Sequence, residues 1–220
     1  MNTLPMEYGN EGINNGNQYV KAIYGLFDTV LTTSIPGFGT AEDLADRYRS
    51  GSQPLGARID ALIRWQAAQA GCVGFVTSLG GVATLPVSLP ASLCASFGNQ
   101  ARMIAAIAAL CNLDPQNPQY RALCVACMAG KKAADVLKQS GVVLARQLCR
   151  QAVRNIPGSV IRAINTNLGI CLVTKFGQTG LVNLGRAVPL AGGLVGGSFD
   201  AASTYAVGKA AKTMFLPMAG

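Results

Sequence analysis

The chain has 220 residues, of which 50% are hydrophobic and 13% are charged. Such a composition excludes a disordered or fibrous protein, and the length is sufficient for one domain with a sizeable core. No histidine is present, which excludes Ser–His and Cys–His catalytic pairs and histidine-ligated zinc. Eighteen Lys and Arg against ten Asp and Glu give a net charge of +8, which is compatible with an anionic partner.

The first helices are marked by capping signals. A helix is predicted over about residues 17–33, and residues 1–16, which lack the features of a secretory signal, are interpreted as a flexible cytosolic tail. Thr40 followed by Asp43 predicts a capping box for a short helix that ends near residue 50. Pro54 is typical of the first turn of the next helix. We therefore predict a single helical domain over residues 17–220.

Further helices follow to the end of the chain. Asn117 and Pro118 predict a helix start, and Gly130 predicts its end. Residues 131–155 are predicted to form the longest helix, stopped by Pro157. Other helices are expected at about 159–173, 177–188 and 198–214. Because no segment alternates with a period of two, the predicted fold class is all-α. The predicted architecture is a compact multi-helix bundle with two glycine-rich hydrophobic helical hairpins.

Positive charge is concentrated in residues 131–186, which contain nine basic residues and one acidic residue. Arg146, Arg150 and Arg154 are spaced by four, so they lie on one face of the predicted helix, opposite an apolar flank. A basic amphipathic helix of this kind suits an anionic lipid surface, and an ordinary solvated helix face is the alternative. The candidate membrane-binding residues are Lys138, Arg146, Arg150, Arg154 and Arg162.

Residues 65–101 contain no charge. The run is longer than the roughly 20 residues that a membrane-spanning helix needs, but glycines, polar residues, Pro86 and Pro90 interrupt it. We expect a buried hairpin of two helices with a corner at residues 85–90, and shallow membrane insertion is the alternative.

A second glycine-rich segment covers residues 188–199. Its glycines at spacings of four predict a face on which another helix can approach closely. A phosphate-binding loop would need a preceding strand and a defined glycine motif, and neither is present in the sequence. No cofactor is therefore assigned. The candidate packing glycines of the two segments are Gly80, Gly81, Gly192, Gly193, Gly196 and Gly197.

The seven cysteines are an odd number and lie in apolar stretches, which favours free buried thiols over a disulfide framework. Cys124 and Cys127 form one CxxC motif. A zinc site would need a second pair of ligands at usable spacing, so we interpret both as core side chains and assign no metal site.

Two blocks of the sequence resemble EcsC family proteins. The first contains Leu79-Gly80-Gly81, Leu85-Pro86-Val87 and the run Arg102-Met103-Ile104-Ala105-Ala106-Ile107-Ala108. The second contains Val188-Pro189, Gly192-Gly193, Gly196-Gly197 and Phe199-Asp200. Ser88 and Leu110-Cys111 depart from the family pattern. The resemblance implies a helical, cytoplasmic and often membrane-associated bacterial protein without an established enzymatic activity.

Asp200 follows an apolar glycine run, and a buried carboxylate needs a partner. Arg102 is the partner we expect, so that an Arg102–Asp200 pair joins the two glycine-rich segments.

The predicted function is that of a non-enzymatic membrane-associated or lipid-interacting protein, peripheral to the inner face of the plasma membrane. A soluble protein–protein interaction module, such as a transporter accessory or a toxin–immunity partner, is the alternative, and a lipid-acting enzyme comes third. No catalytic residue is assigned. Nucleic acid is disfavoured as a partner because aromatic residues make up only 6% of the chain and no recognition motif is present.

Overall fold

A computed structural model describes residues 39–79, 85–142, 150–185 and 191–219, together with residues 21, 24, 25, 27–29 and 31. Within these ranges, residues 77–79, 85–95, 150, 152, 172–185 and 191–195 are described by their backbone. The predicted tail over residues 1–16, as well as Gly80, Gly81 and Arg146, lies outside the described residues.

The regular elements of the described residues are helices, which confirms the predicted all-α fold. The eight α-helices are α1 (Ala41–Arg49), α2 (Leu55–Leu79), α3 (Leu85–Leu110), α4 (Pro118–Cys127), α5 (Ala133–Gln139), α6 (Arg150–Arg154), α7 (Gly158–Gly185) and α8 (Ala191–Phe215). Two short 3₁₀ helices cover Gly130–Lys132 and Leu216–Met218. The two predicted hairpins are α2 with α3 and α7 with α8, each joined by five residues.

Side chains cap the starts of α1 and α4 where the sequence predicts it. The Thr40 hydroxyl accepts a hydrogen bond from the Asp43 N–H at 3.1 Å, and the Asp43 carboxylate accepts one from the Thr40 N–H at 2.7 Å. The Asn117 side chain accepts from the Gln119 N–H at 3.1 Å. These bonds satisfy N–H groups that have no partner inside the helix, which is why both helices begin at these residues.

The prolines differ from the prediction. Pro54 lies directly before α2 rather than inside it, and its carbonyl accepts from the Ala57 N–H at 2.9 Å. Pro86 and Pro90, which were expected to interrupt a helix, are the second and sixth residues of α3. Proline fits the first turn, where Pro86 lies, because the N–H groups there lack intrahelical partners. Pro90 lies just beyond that turn and leaves one helical hydrogen bond unformed.

The prediction of one long helix over residues 131–155 is wrong. Helix α5 ends at Gln139, and Gly141 adopts a φ of +83°, which favours glycine. The Gly141 N–H donates to the Lys138 carbonyl at 3.1 Å, and the Val142 N–H donates to the Leu137 carbonyl at 2.9 Å. This pair of bonds is a Schellman motif, which terminates a helix. The second part of the predicted helix is represented by α6, which has five residues.

The longest helix of the described residues is α7, with 28 residues. It unites the predicted helices at 159–173 and 177–188. It contains no proline, and a glycine inside a helix costs only about 1 kcal/mol relative to alanine. Helix α8 similarly begins at Ala191, seven residues before the predicted start at 198, and includes the glycine run.

Helices α2, α3 and α8 form the centre of the bundle. Helix α8 runs antiparallel to α2, because Gly56 lies beside Leu216 at one end and Gly71 lies beside Gly197 at the other. Helix α3 is antiparallel to α2 and therefore parallel to α8. Helices α4 and α5 pack against α7, and α4 and the Gly130–Lys132 turn pack against α8. The largest fully buried side chains are Phe27, Leu44, Ile59, Leu62, Ile63, Met103, Ile104, Ile107, Leu123, Met128, Leu137 and Phe215.

The described helical residues between 21 and 31 contact α4 and α7 through polar side chains. The Tyr24 hydroxyl donates to the Asn165 side chain at 2.9 Å, and Arg121 forms an ion pair with Asp28 at 2.6 Å. The Arg121 guanidinium also lies 5.0 Å from the centre of the Tyr24 ring, as in a cation–π contact. The N-terminal helical segment is thus part of the same packed unit.

Candidate functional site

One side of α2 is apolar and exposed. Trp65, Ala68, Cys72, Val73 and Val76 are all exposed, with Trp65 at 56% and Val76 at 66%. Trp65, Ala68, Cys72 and Val76 are spaced by three and four residues and lie on one side of the helix, and Val73 lies at the edge of that side. The expectation that residues 65–101 are buried therefore fails for this side of α2, whereas it holds at residues 98, 100 and 101 of α3, which are buried.

Helix α8 carries an exposed aromatic residue at the level of Trp65. Ile63 contacts the backbone of Gly208, which fixes the register of the antiparallel pair. Trp65 follows Ile63 by two residues, and Tyr205 precedes Gly208 by three residues. Because α2 and α8 are antiparallel, these two aromatic residues lie at the same level of the bundle. Tyr205 is 45% exposed. Exposed Trp and Tyr at one level resemble the aromatic belt that proteins place at a lipid–water boundary.

Basic residues lie at the level of this aromatic pair. Arg64 precedes Trp65 and is exposed, and Lys209 follows Tyr205 by about one turn of α8 with its side chain 44% exposed. Lys131 and Lys132 are exposed and follow Gly130, which lies against Val207 of α8. Four cationic side chains therefore surround the level of Trp65 and Tyr205.

Beyond this level, helices α2, α3, α7 and α8 are nearly free of charge. We call residues 65–101 and 170–205 the apolar half. They contain three of the chain's charged residues, Lys175, Arg186 and Asp200. Helix α2 is antiparallel to α8, so Leu79 of α2 and Ala191 of α8 both lie toward the far end of this half. No helix among the described residues has the length and apolarity needed to cross a membrane.

The predicted basic residues come from three helices rather than two. Lys138 on α5, Arg154 on α6 and Arg162 on α7 are all exposed. Arg150 begins α6, four residues before Arg154. The correction follows from the Schellman turn after α5, because a helix that ends at Gln139 does not continue from Lys138 to Arg154.

The close helix contact predicted for the glycine segment occurs at Gly197, and its partner is α2. A Cβ atom placed on Gly197 would lie 2.7 Å from the Gly71 carbonyl oxygen and 3.2 Å from Phe75 Cβ. Only glycine allows this approach between two backbones. Gly196 is buried, and Gly192 and Gly193 lie in the first turn of α8.

A buried polar layer crosses α2, α3 and α8, and sequence reasoning identified only its arginine. Arg102 is 2% exposed and donates to the Gln66 side chain at 3.3 Å. Burial lowers the pKa of Arg102, and the nearby charge of Arg47 lowers it further. Gln100 donates to Thr204 at 3.3 Å, and both are buried. Polar residues within otherwise apolar helices were the signal in the sequence for this layer.

The expected Arg102–Asp200 pair stays a prediction, and the register does not favour it. Gln100 lies beside Thr204, so Arg102 is level with residues near 206, about 9 Å along the axis from Asp200 at about 1.5 Å per residue. Asp200 instead lies against α2, where a Cβ atom on Gly74 would overlap its carboxylate.

The CxxC cysteines are core side chains, as predicted. Cys124 and Cys127 are fully buried, and burial raises the pKa of both thiols. The Cys127 thiol contacts the Met214 sulfur at 3.9 Å. A high pKa makes a thiol a poor nucleophile and a poor metal ligand. The described residues contain no group of three or more His, Cys, Asp or Glu side chains able to hold a metal ion.

The fold and this surface define the chain as an all-α bundle with one apolar half. No family model, no curated protein and no solved structure matches it. The resemblance to the EcsC family therefore stays a prediction.

Proposed function

We propose that the protein is a non-enzymatic, EcsC-type peripheral membrane protein that binds anionic lipid at the cytoplasmic face of the plasma membrane. The observation that carries this proposal is the exposed apolar side of α2, with Trp65 and Tyr205 at one level and basic residues around them. Large apolar side chains that are exposed together on a protein surface are typical of interaction sites.

Both parts of this surface favour lipid. An exposed valine such as Val73 or Val76 gains about 1 kcal/mol when it enters an apolar phase, since complete burial of such a side chain contributes about 1.5–3 kcal/mol. Each Lys or Arg close to an anionic membrane contributes about 1 kcal/mol. Several such contributions support reversible binding that depends on both apolar contact and charge. Lys138, Arg154 and Arg162 are exposed and strengthen the attraction over about a Debye length.

The test is vesicle flotation with phosphatidylcholine alone and with added phosphatidylglycerol, at low and at high salt. We expect co-flotation with the anionic vesicles at low salt and loss of binding at high salt. Lys131→Glu together with Lys132→Glu should weaken binding about 30-fold or more, because two favourable contributions of about 1 kcal/mol each are removed. A matched charge reversal at Arg154 and Arg162 shows how much the more distant basic residues add.

Trp65 provides a second readout because it is the single tryptophan of the chain. It is 56% exposed, so its emission should shift to the blue when anionic vesicles are added. Absence of both co-flotation and a blue shift at low salt would overturn the proposal. A discrete protein partner recovered under those conditions would then establish the interaction-module alternative.

A further inference from the structure

We propose that the protein docks on the membrane end-on, with its apolar half inserted and the level of Trp65 and Tyr205 at the lipid–water boundary. This inference rests on the proposed membrane function and specifies the orientation and the depth of binding. The alternative geometry is side-on, with α2 and α8 lying flat on the surface.

The distribution of exposed apolar side chains favours the end-on orientation. Among the described residues, the large hydrophobic side chains that are exposed all lie in the apolar half, on α2, α7 and α8. They are Trp65, Val73, Val76, Ile170 and Tyr205. Helices α2 and α7 each pack against α8, so these side chains do not come from a single helix face. A flat surface contact would use one side of the bundle, whereas insertion of one end uses all sides.

The distribution of charge leads to the same orientation. Arg64 is the last charged residue of α2, and Arg102 is the first charged residue of α3. The hydrogen bond between Arg102 and Gln66 places these two arginines at the same level. Interfacial helices that lie flat carry a charged face along their whole length. In α2 and α3, by contrast, charged residues stop at one level on all sides of the helix. This is expected when the lipid–water boundary is perpendicular to the bundle axis.

The length of the apolar half sets the depth. From Trp65 to Leu79, α2 rises about 21 Å at about 1.5 Å per residue. The hydrocarbon core of a bilayer is about 30 Å thick, so the inserted end passes the midplane without spanning. The backbone positions of Lys175 and Asp200 lie on adjacent helices, ten residues before the end of α7 and nine residues after the start of α8, so both positions enter at similar depth. Arg186 lies outside the described residues.

Three single-tryptophan proteins test the orientation in vesicles with bromine at shallow or deep acyl positions. The first is the natural chain with Trp65. The second is Trp65→Phe with Val76→Trp, which moves the fluorophore about 16 Å toward the far end of the apolar half. The third is Trp65→Phe with Thr213→Trp, which moves it about 12 Å in the opposite direction, to an exposed position. Circular dichroism and the thermal midpoint show that each variant is folded.

End-on docking predicts that shallow bromines quench Trp65 most strongly and deep bromines quench Val76→Trp most strongly, with Thr213→Trp unquenched. Equal quenching of Trp65 and Val76→Trp by the shallow bromines would overturn the orientation while leaving membrane binding intact. Co-flotation without quenching at either position would also overturn it. Failure of the natural chain to co-float would instead reject the proposed function, so the two failures are distinguishable.

Discussion

The contact between Gly197 and Gly71 yields the sharpest stability prediction. In Gly197→Ala, the new methyl group would lie 2.7 Å from a backbone oxygen of α2, which cannot rotate away as a side chain can. Overpacking a helix contact costs about 1–3 kcal/mol, and the rigid neighbour places this substitution at about 2–3 kcal/mol. The higher helix propensity of alanine offsets about 1 kcal/mol of this loss in unfolding free energy. The net loss is therefore about 1–2 kcal/mol, or a fall of about 2–8 °C in the thermal midpoint for a chain of this size.

Gly98→Ala is the matched control. Gly98 is also a buried helical glycine, but apart from its own helix backbone a Cβ atom there would have no heavy atom of the described residues within 4 Å. This substitution should raise the unfolding free energy by about 0.5–1 kcal/mol through helix propensity. Calorimetry at one pH and one protein concentration compares the two variants with the natural chain. If Gly197→Ala leaves the midpoint unchanged or raises it as Gly98→Ala does, α2 and α8 do not pack as closely as described.

Two further predictions concern ionisation. The hydrogen bond from Lys212 lowers the pKa of Asp60, so the stability that this carboxylate provides is present above its ordinary pKa of 3.8 and is lost as the pH falls through the lowered value. Asp60→Asn should lower the thermal midpoint at neutral pH and flatten its decline in acid, and parallel acid profiles of the two proteins would contradict this. Alkylation followed by mass mapping should modify the exposed Cys72 and spare Cys124 and Cys127, where burial raises the pKa. Anionic vesicles should slow the labelling of Cys72, and equal labelling of all three would contradict the described burial.

Local signals in the sequence predicted the helix starts well. A helix start depends on hydrogen bonds between a few neighbouring residues, such as Thr40 with Asp43 or the Asn117 cap before Pro118. The sequence therefore contains nearly all the information needed to predict where these helices start. Helix ends were less predictable. The helix predicted over residues 131–155 runs through Gly141, whereas the hydrogen bonds around Gly141 end α5.

The candidate surface could be predicted only in part. The absence of charge over residues 65–101 identified the apolar segment. It could not show which side of α2 faces solvent, because that depends on the register with α8 and thus on Gly71 and Gly197, which are far apart in the chain. The hydrogen bond between Arg102 and Gln66 was not predicted, for the same reason. The helix register brings the neutral Gln66 to the arginine, and the expected pair of Arg102 with Asp200 stays a prediction.

The glycine contact also restricts how this chain can change during evolution. Gly71 and the exposed Trp65 lie on one continuous helix, so a residue inserted between them would rotate one relative to the other by about 100°. Either the contact with α8 would break or the indole would turn toward the interior. Substitutions along the outer side of α2 therefore leave the contact with α8 intact, whereas changes in the length of α2 between residues 65 and 71 do not.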